Sequence, residues 1–184
     1  LAQLSTGIGF WMMRLAQDWL VLDLTDGSGV AVGIATALQF IPFLIITPFA
    51  GVMADRFSRR TLMIWAHIGL VSISIVLLVA LLTNTANVAV VFVLAALTGS
   101  MAAIDFPSRQ ALVGQLVGNE HLTNAVALNS VAFNLARISG PAIAGVLIAG
   151  TGLPVVIGVI VAFFAIALTA IASLRRIPKA RKGD

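Results

Sequence analysis

The sequence predicts an all-α membrane protein with six transmembrane helices, and three observations carry that prediction. Of the 184 residues, 60% are hydrophobic and only 10% are charged, whereas charged residues make up about 25% of an ordinary soluble domain. Mean hydropathy is +1.07, so the chain has too few polar residues to cover a water-soluble core. Apolar runs of about 20 residues, the length that crosses a bilayer as a helix, recur along the chain. Transmembrane strands would instead alternate apolar and polar residues over about ten positions.

The first three predicted spans are apolar runs that end at turn signals. The first ends at residues 23–29, a stretch rich in Asp, Gly and Ser, and the third ends at residues 84–87. The second contains Pro42 and Pro48 and ends at the charged turn 55–60. Proline is tolerated in a membrane helix because neighbouring groups satisfy the carbonyls that it frees.

The last three spans are delimited in the same way. We expect Pro107 to stop the fourth helix, residues 108–119 to connect it to the fifth, and Asn119 to cap that fifth helix. The chain begins inside an apolar run, so we expect it to be part of a longer protein. The predicted spans are residues 1–24, 30–54, 61–83, 88–106, 120–149 and 155–174, followed by a basic stretch at 175–184 that begins a cytoplasmic loop.

Basic residues occur on one side of this arrangement only. The turn before span three, the connection before span five and the C-terminal stretch carry Arg56, Arg59, Arg60, Arg109, Arg175, Arg176, Lys179, Arg181 and Lys182, and the other three turns carry no Lys or Arg. Cytoplasmic loops are enriched in Lys and Arg, so both termini are predicted to be cytoplasmic. The same sidedness accounts for the net charge of +4, and we expect a lipid bilayer rather than nucleic acid as the partner.

The first span carries charge inside the predicted bilayer. Arg14 and Asp18 are about 40° apart around the helix and share a narrow stripe with Gln3 and Gly7. A charge in the bilayer interior costs at least about 2.5–3.5 kcal/mol, so this stripe is expected to face protein or a water-filled cavity. Two interpretations stay open. The pair neutralises itself and fixes helix packing, or it lines a transport path together with Gln17, with Asp18 as a proton carrier.

The fifth span has a second polar face, which contains Asn134, Arg137 and Pro141. Arg137 is a second intramembrane cation, which either binds an anionic substrate or pairs with an acid such as Asp18. Asn134 is either an interhelical hydrogen-bonding group or a lining residue of the same path.

Small residues also recur along this span. Ala136, Gly140 and Ala144 are spaced every four residues, so another helix can approach closely there. Gly140 and Pro141 together are expected to bend or loosen the helix.

No cofactor or metal site is predicted. The chain has no Cys, which excludes disulfides, thiolate ligands and Cys nucleophiles. An intramembrane serine protease would need a Ser–His pair, but His67 and His121 lie near no recognisable nucleophile motif, so an enzyme is the less favoured alternative. His67 is interpreted as structural, and Asp105 and Arg109 are expected to pair with each other or with groups of the turn 55–60.

The stretch GVMADRFSRR at residues 51–60 resembles the signature loop of the major facilitator superfamily, G-x-x-x-D-[RK]-x-G-[RK]-[RK], which lies between helices two and three. The matching residues are Gly51, Asp55, Arg56, Arg59 and Arg60, and Ser58 replaces a Gly. This resemblance implies the N-terminal six-helix half of a twelve-helix transporter, built from two three-helix inverted repeats. It also implies that Asp55 belongs to a cytoplasmic charge network that gates the two halves.

Helix five is similar to the antiporter motif of the same superfamily, whose pattern of small residues is filled by Ala136, Gly140, Pro141, Ala144 and Gly145. The phrases AQDWLVL at 16–22, DFPSRQAL at 105–112 and NLARISGP at 134–141 are similar to the enterobactin-exporter and macrolide-efflux branch, the transmembrane secretion effectors. These resemblances imply proton-coupled export of a small organic molecule, such as a drug or siderophore, across the bacterial inner (plasma) membrane. The partners implied are the C-terminal half, protons and the substrate, with no cofactor. A non-transporting membrane scaffold of the same fold is the other alternative.

The predicted sidedness is testable by labelling single Cys residues, since this chain contains no native Cys. A Cys within residues 84–87 or 150–154 is expected to react with a membrane-impermeant maleimide on intact cells, because those turns lie outside. A Cys within residues 55–60 is expected to react only after the cells are opened. Labelling of Ser58→Cys from outside would contradict the topology.

Overall fold

The structure, a computed structural model, describes residues 2–116 and 118–173, apart from the side chains of residues 2, 50–56, 111–116, 118–123 and 125. This part of the chain is all-helical, as predicted, and contains no strand. Its helices are α1 (Ala2–Leu24), α2 (Gly29–Arg56), α3 (Arg59–Leu82), α4 (Val88–Leu116), α5 (Gly118–Thr151) and α6 (Leu153–Ser173). Five of the six, α2 to α6, are long and apolar enough to cross a membrane. The remaining helix, α1, carries Arg14, Asp18 and Asp23 and is correspondingly less apolar.

Tight turns join the helices where the backbone adopts a left-handed conformation. Gly27 has φ +87° and donates its N–H to the carbonyl of Leu22, which closes the end of α1. Gly152, with φ +85°, separates α5 from α6. Glycine suits both positions because it lacks the Cβ that penalises positive φ.

Ser58 explains how the sequence begins a new helix directly after α2. Its backbone is extended, with φ −66° and ψ 137°, and its Oγ accepts a hydrogen bond from the N–H of Thr61 at 3.1 Å. Serine is a favoured N-cap because its side chain satisfies a free donor of the first turn. The residue that departs from the glycine of the resembled loop is therefore the cap of α3.

Pro107 does not stop the fourth helix, and that expectation is wrong. α4 continues to Leu116, so residues 108–116 are helical rather than a connection, and Asn119 lies inside α5 instead of capping it. Two side-chain contacts hold the turn around the proline. Arg109 binds Asp105 across it at 2.8 Å, and Ser108 Oγ donates to the carbonyl of Ile104 at 2.7 Å. These bonds, four residues apart, support the helix where proline removes a backbone donor.

The helices pack as two interlocked sets of three. α1 packs on α5 and α6, and α4 packs on α2 and α3. The first helix of each set thus lies against the second and third helices of the other set, while α3 and α6 meet each other. This correspondence between α1–α3 and α4–α6 is the arrangement that a pair of three-helix repeats produces.

The buried core lies where α1, α3 and α6 meet. Met12 and Met13 of α1, Leu70 and Leu77 of α3, and Phe164 of α6 are almost fully enclosed and belong to one apolar cluster. This cluster fixes α1 in the interior of the bundle, so the polar residues of α1 are directed at other helices.

Gly99 marks the closest approach of α2 and α4. A Cβ placed on Gly99 would lie 2.1 Å from the carbonyl oxygen of Gln39, which is inside van der Waals contact. The two helices can therefore cross at this depth only because residue 99 has no side chain. This crossing also places the side chain of Gln39 in the bundle interior, where it is 3% exposed.

We expect Gly99→Ala to lower the thermal stability of the intact protein in detergent. Forcing a methyl group into a packed crossing typically costs about 1–3 kcal/mol. The matched control is Gly158→Ala on α6, where an added Cβ has no neighbour within 4 Å, and which is expected to leave the melting temperature unchanged or raised. Equal melting temperatures for the two variants would contradict the close crossing.

Candidate functional site

A cavity of about 350 Å³ opens between α1, α2, α3, α4 and α5. Its walls are mostly apolar, and its polar lining groups include Arg14, Gln39, Asp105 and Arg109. A pocket of a few hundred cubic ångströms with apolar walls and a few polar groups is the usual form of a small-molecule site.

Aromatic rings form a continuous row along this cavity. Phe10, Trp11, Phe133, Phe106 and Phe43 contact one another in that order through edge-to-face pairs, with ring centroids 5.9–6.1 Å apart. The row joins α1, α5, α4 and α2, so it both lines the cavity and ties four helices together. Edge-to-face pairs contribute about 0.5–1.5 kcal/mol each beyond the area that they bury.

Arg14 lies at the cavity between two rings. Its Cζ is 4.2 Å from the centroid of Phe40 and 5.0 Å from that of Trp11. The guanidinium is attracted to the negative faces of these rings, and its Nε donates to Gln39 Oε1 at 2.7 Å. Arg14 is thus stabilised next to an apolar cavity, and no carboxylate of the described residues contacts it directly.

Gln39 connects the polar groups of α1. Its Nε2 donates to Gln17 Oε1 at 3.1 Å and lies 3.4 Å from Asp18 Oδ1, while its Oε1 receives Arg14. Gln17, fully buried, in turn donates to Thr98 Oγ1 at 3.3 Å. The structure therefore brings Arg14, Gln17 and Asp18 into one network across α1, α2 and α4, and it is Gln39 that bridges the cation and the acid.

Asn134 and Arg137 lie apart from this network. Both are exposed on α5, and Asn134 donates its amide to the carbonyl of Ser130 on its own helix at 2.9 Å. Arg137 places its Cζ 5.6 Å from the centroid of the Trp11 ring, so both Arg14 and Arg137 contact this ring. Neither residue is among those that line the cavity in the described part of the chain.

The small residues of α5 face α1. A Cβ on Gly140 would lie 2.7 Å from Trp11 Cβ and 3.0 Å from the carbonyl oxygen of Ile8, and one on Gly7 would lie 2.8 Å from Ala136 Cβ. Ala144 is fully buried on the same face. Pro141 is carried within α5, while Gly145 has open space around it.

A second polar cluster lies near the start of α1. His67 Nε2 is 2.8 Å from Thr6 Oγ1, and Arg109 donates to Thr6 Oγ1 at 3.1 Å and to Asp105 Oδ2 at 2.8 Å. Asp105 and Arg109 thus pair with each other, one of the two arrangements that the sequence left open. Besides the carbonyl of Met63 on its own helix, the groups that face His67 come from α1 and α4, more than thirty residues away in the chain, and no local sequence pattern indicates them.

The sequence pattern of the transmembrane secretion effector family matches residues 1–182. The chain belongs to this family of major facilitator transporters. It is 30% identical over 135 residues to the staphyloferrin A transporter of Staphylococcus aureus, which covers 73% of this chain and 34% of that relative. It is 28% identical over 167 residues to macrolide efflux protein A of Streptococcus pyogenes, which covers 90% of this chain and 41% of that relative. It is 25% identical over 148 residues to an uncharacterised MFS-type transporter of Bacillus subtilis, and the aligned region covers 80% of this chain and 34% of that relative.

These comparisons confirm the resemblance to the superfamily and to its secretion-effector branch. The chain spans about a third to two fifths of the length of these curated relatives. The relatives are named as two transporters and an efflux protein.

The signature loop at residues 51–60 is described only in part. The side chains of Gly51, Asp55 and Arg56 lie outside the described residues. Arg60, at the start of α3, donates to the carbonyl of Ala172 near the end of α6 at 2.5 Å. The partial negative charge of a helix C-terminus favours a cation there, which offsets the unfavourable position of Arg60 at the N-terminus of its own helix.

Gln39 is the residue of the first network that the sequence analysis missed. An available signal was an amide at position 39, since the other polar side chains between Val30 and Phe49 are only the hydroxyls of Thr36 and Thr47. A buried amide needs hydrogen-bond partners, and polar side chains across membrane helices are common contacts. The identity of those partners depends on how α1 and α2 are rotated, which the sequence does not show.

We expect Gln39→Leu to destabilise the protein. The change leaves the buried amide of Gln17 and the Nε of Arg14 without their partner, and a buried polar group left unpaired costs about 1–3 kcal/mol. The control is Gln110→Leu, an exposed glutamine that lines the same cavity and is expected to change the melting temperature little. The measurement is thermal unfolding in detergent. A melting temperature for Gln39→Leu at or above that of Gln110→Leu would show that the network is not stabilising.

Proposed function

We propose that this chain forms one half of a proton-coupled exporter of small organic molecules, such as a drug or a siderophore. The observation that carries the proposal is the aromatic cavity of about 350 Å³ with Arg14 and Arg109 in its lining. Substrate sites in this kind of transporter lie near the membrane midplane between the two halves. A cavity open between helices of one half is suited to form one wall of such a site.

The lining favours an amphipathic molecule. The row of rings supplies apolar and π surface, and the two arginines supply donors for carboxylate or carbonyl oxygens. The relatives' names span this range, since one is named for the siderophore staphyloferrin A and another for macrolides. We therefore propose a substrate that combines an apolar or aromatic body with oxygen acceptors.

Transport in this proposal follows the rocking of two halves across the inner membrane. This chain supplies one half with both termini in the cytoplasm, and a second six-helix half supplies the facing wall. The loop residues Gly51, Asp55, Arg56, Arg59 and Arg60 gate the cytoplasmic side, as the family resemblance implies. Ala136, Gly140, Pro141, Ala144 and Gly145 give α5 the small, proline-interrupted face of the antiporter motif. The contacts of Gly140 and Ala136 with α1 support this part of the proposal.

Asp18 is the proton carrier of this proposal. It shares Gln39 with Arg14, so protonation of the carboxylate removes a negative charge close to a cation that lines the cavity. The same Gln39 Nε2 also donates a hydrogen bond to Gln17 Oε1. Arg137 and Asn134 lie outside the cavity on the exposed face of α5 and are proposed to contact substrate only as it enters or leaves.

The proposal is tested by proton-driven uptake into inverted membrane vesicles that contain the intact transporter. The probes are radiolabelled erythromycin, as a macrolide, and staphyloferrin A. We expect at least one probe to accumulate when a proton gradient is imposed and to be lost on addition of a protonophore. No gradient-dependent accumulation of either probe would favour the non-transporting scaffold.

We expect Asp18→Asn to abolish proton-driven accumulation while probe binding is largely kept, because the variant cannot exchange a proton at this position. The matched control is Asp23→Asn, since Asp23 is exposed at the end of α1, and it is expected to transport normally. Uphill, gradient-driven accumulation by well-folded Asp18→Asn would exclude Asp18 as the carrier.

A further inference from the structure

His67 is a titratable group enclosed in an apolar bundle, and the network around Gln39 does not use it. Its side chain is 0% exposed, and it does not line the cavity. Its neighbours Thr6, Asp105 and Arg109 do line the cavity. The imidazole therefore lies one side chain behind the cavity wall.

The hydrogen bonds of His67 identify which ring nitrogen can accept a proton. Nδ1 is 2.9 Å from the carbonyl oxygen of Met63, and a carbonyl can only accept, so Nδ1 carries a hydrogen. In the neutral ring Nε2 is then an acceptor, and it lies 2.8 Å from Thr6 Oγ1. A hydroxyl both donates and accepts. Thr6 therefore suits the neutral ring as a donor and the protonated ring as an acceptor.

Asp105 is placed to balance the charge of a protonated ring. Its Oδ2 receives both Nε and Nη2 of Arg109, at 3.2 and 2.8 Å. Its Oδ1 is buried, has no hydrogen-bond partner among the described residues, and lies 3.4 Å from His67 Nδ1. A buried carboxylate oxygen without a partner is costly unless another state of the site uses it. In the state with a protonated ring, the positive charge of His67 stabilises Asp105 Oδ1.

The other groups that face His67 add no competing acid among the described residues. From α4 the charged groups are Asp105 and Arg109, and from α1 the facing group is the uncharged Thr6. α6, which packs on α3, has no ionisable side chain between Leu153 and Ser173. With a neutral ring, Asp105 and Arg109 cancel, and one further proton gives the cluster a net charge of one.

We propose that His67 is a second proton-binding site of the transporter, reached from the cavity through the hydroxyl of Thr6 and balanced by Asp105. This inference rests on the proton coupling proposed above and adds a group to it that is separate from Asp18. Thr6 and Arg14 are eight residues apart on α1, or about 12 Å along the helix. Thr6, the neighbour of His67, and Arg14, the neighbour of Asp18, thus line the cavity at different depths.

The proton transfer is a relay. A hydronium ion in the cavity gives a proton to Thr6 Oγ1 while the original hydroxyl proton passes to His67 Nε2. One water molecule remains in the cavity, a new N–H bond forms, and the hydroxyl is regenerated with its donor direction reversed. The imidazolium then attracts Asp105 Oδ1, and Asp105 is shared between His67 and Arg109. Because the four side chains come from α1, α3 and α4, the proton changes contacts between three helices.

A structural role for this cluster predicts a different behaviour. A histidine that only fills space and bonds to Met63 and Thr6 stays neutral at every pH at which the protein is folded. A proton site changes protonation between about pH 5 and 8, the range in which histidine serves as a switch. The two roles are therefore separated by observing the ring nitrogens directly.

The test is ¹⁵N NMR of the intact transporter labelled at histidine and placed in lipid nanodiscs without substrate. The signals of His67 are assigned as those missing from His67→Gln, and His121→Gln is the control that leaves them in place. We expect the His67 nitrogens to pass from neutral to imidazolium positions between about pH 8 and 5. The same transition is expected in Asp18→Asn, because the two sites are separate. A neutral His67 throughout the range would overturn the proposal.

Variants of the neighbours test the relay and the counter-ion. Thr6→Val keeps the shape but removes the hydroxyl, so the imidazolium signals are expected to be lost, whereas Thr6→Ser retains them. Asp105→Asn is expected to lose them as well. If Asp105→Asn does not fold, the comparison of Thr6→Val with Thr6→Ser tests the proposal without it. Identical titration midpoints and identical proton-exchange broadening of the His67 signals in Thr6→Val and Thr6→Ser would overturn the path through Thr6.

Transport measurements then show whether protonation of His67 is coupled to movement of the substrate. For the probe that the vesicles accumulate, His67→Gln is expected to lose gradient-driven uptake and to keep exchange of labelled for unlabelled probe. Retention of both would overturn coupling at His67. Since the NMR measurement needs no substrate, failure of both probes would count against the proposed function and leave the His67 site to be decided by its spectra.

Discussion

The constraint on which the rest of the structure depends is the cost of polar side chains in an apolar bundle. α1 is less apolar than the other helices and carries Arg14, Gln17 and Asp18, and an unpaired polar group in hydrocarbon costs several kcal/mol. In the fold this cost is avoided because α1 packs against α2, α4, α5 and α6 rather than facing lipid. Its apolar face joins the core, and its polar face meets Gln39 and Thr98. The cavity lies beside this polar face, so the position of the site follows from the same constraint.

Close helix crossings make those contacts possible. Gly99 lets α4 reach the backbone of α2 at Gln39, and Gly140 lets α5 reach α1 at Trp11. Each crossing positions a side chain of the candidate site, since Gln39 bridges the charges of α1 and Trp11 contacts Arg14 and Arg137. Small residues therefore shape the site indirectly, because they let the helices approach closely enough for short polar and aromatic contacts. The same geometry gives two polar clusters, one around Gln39 and one around His67, whose members Arg14 and Thr6 line the cavity at different depths.

The two clusters treat charge differently. Around Gln39 a neutral amide separates a cation from an acid, and the cation is further held by two aromatic rings. Around His67 the acid and the cation bind directly, and one carboxylate oxygen is left facing the imidazole. Both clusters therefore bring an acid close to a cation, through an amide in the first cluster and by direct contact in the second.

The apolar runs were enough to predict the all-helical membrane class, because hydrophobicity over about 20 residues is a local property, and the signature loop and phrases indicated the family. The sequence also indicated that Arg14 and Asp18 face protein or a water-filled cavity, since lipid could not solvate them. Their partner, the partners of His67, and the exposure of Asn134 and Arg137 became known from the packed helices alone, because these features depend on the rotation and depth of each helix against its neighbours. The tertiary structure also decided that α4 continues through Pro107. The ion pair between Asp105 and Arg109, four residues apart, supports that turn. Helix propensity counts only the backbone donor that proline lacks and does not include this compensating ion pair.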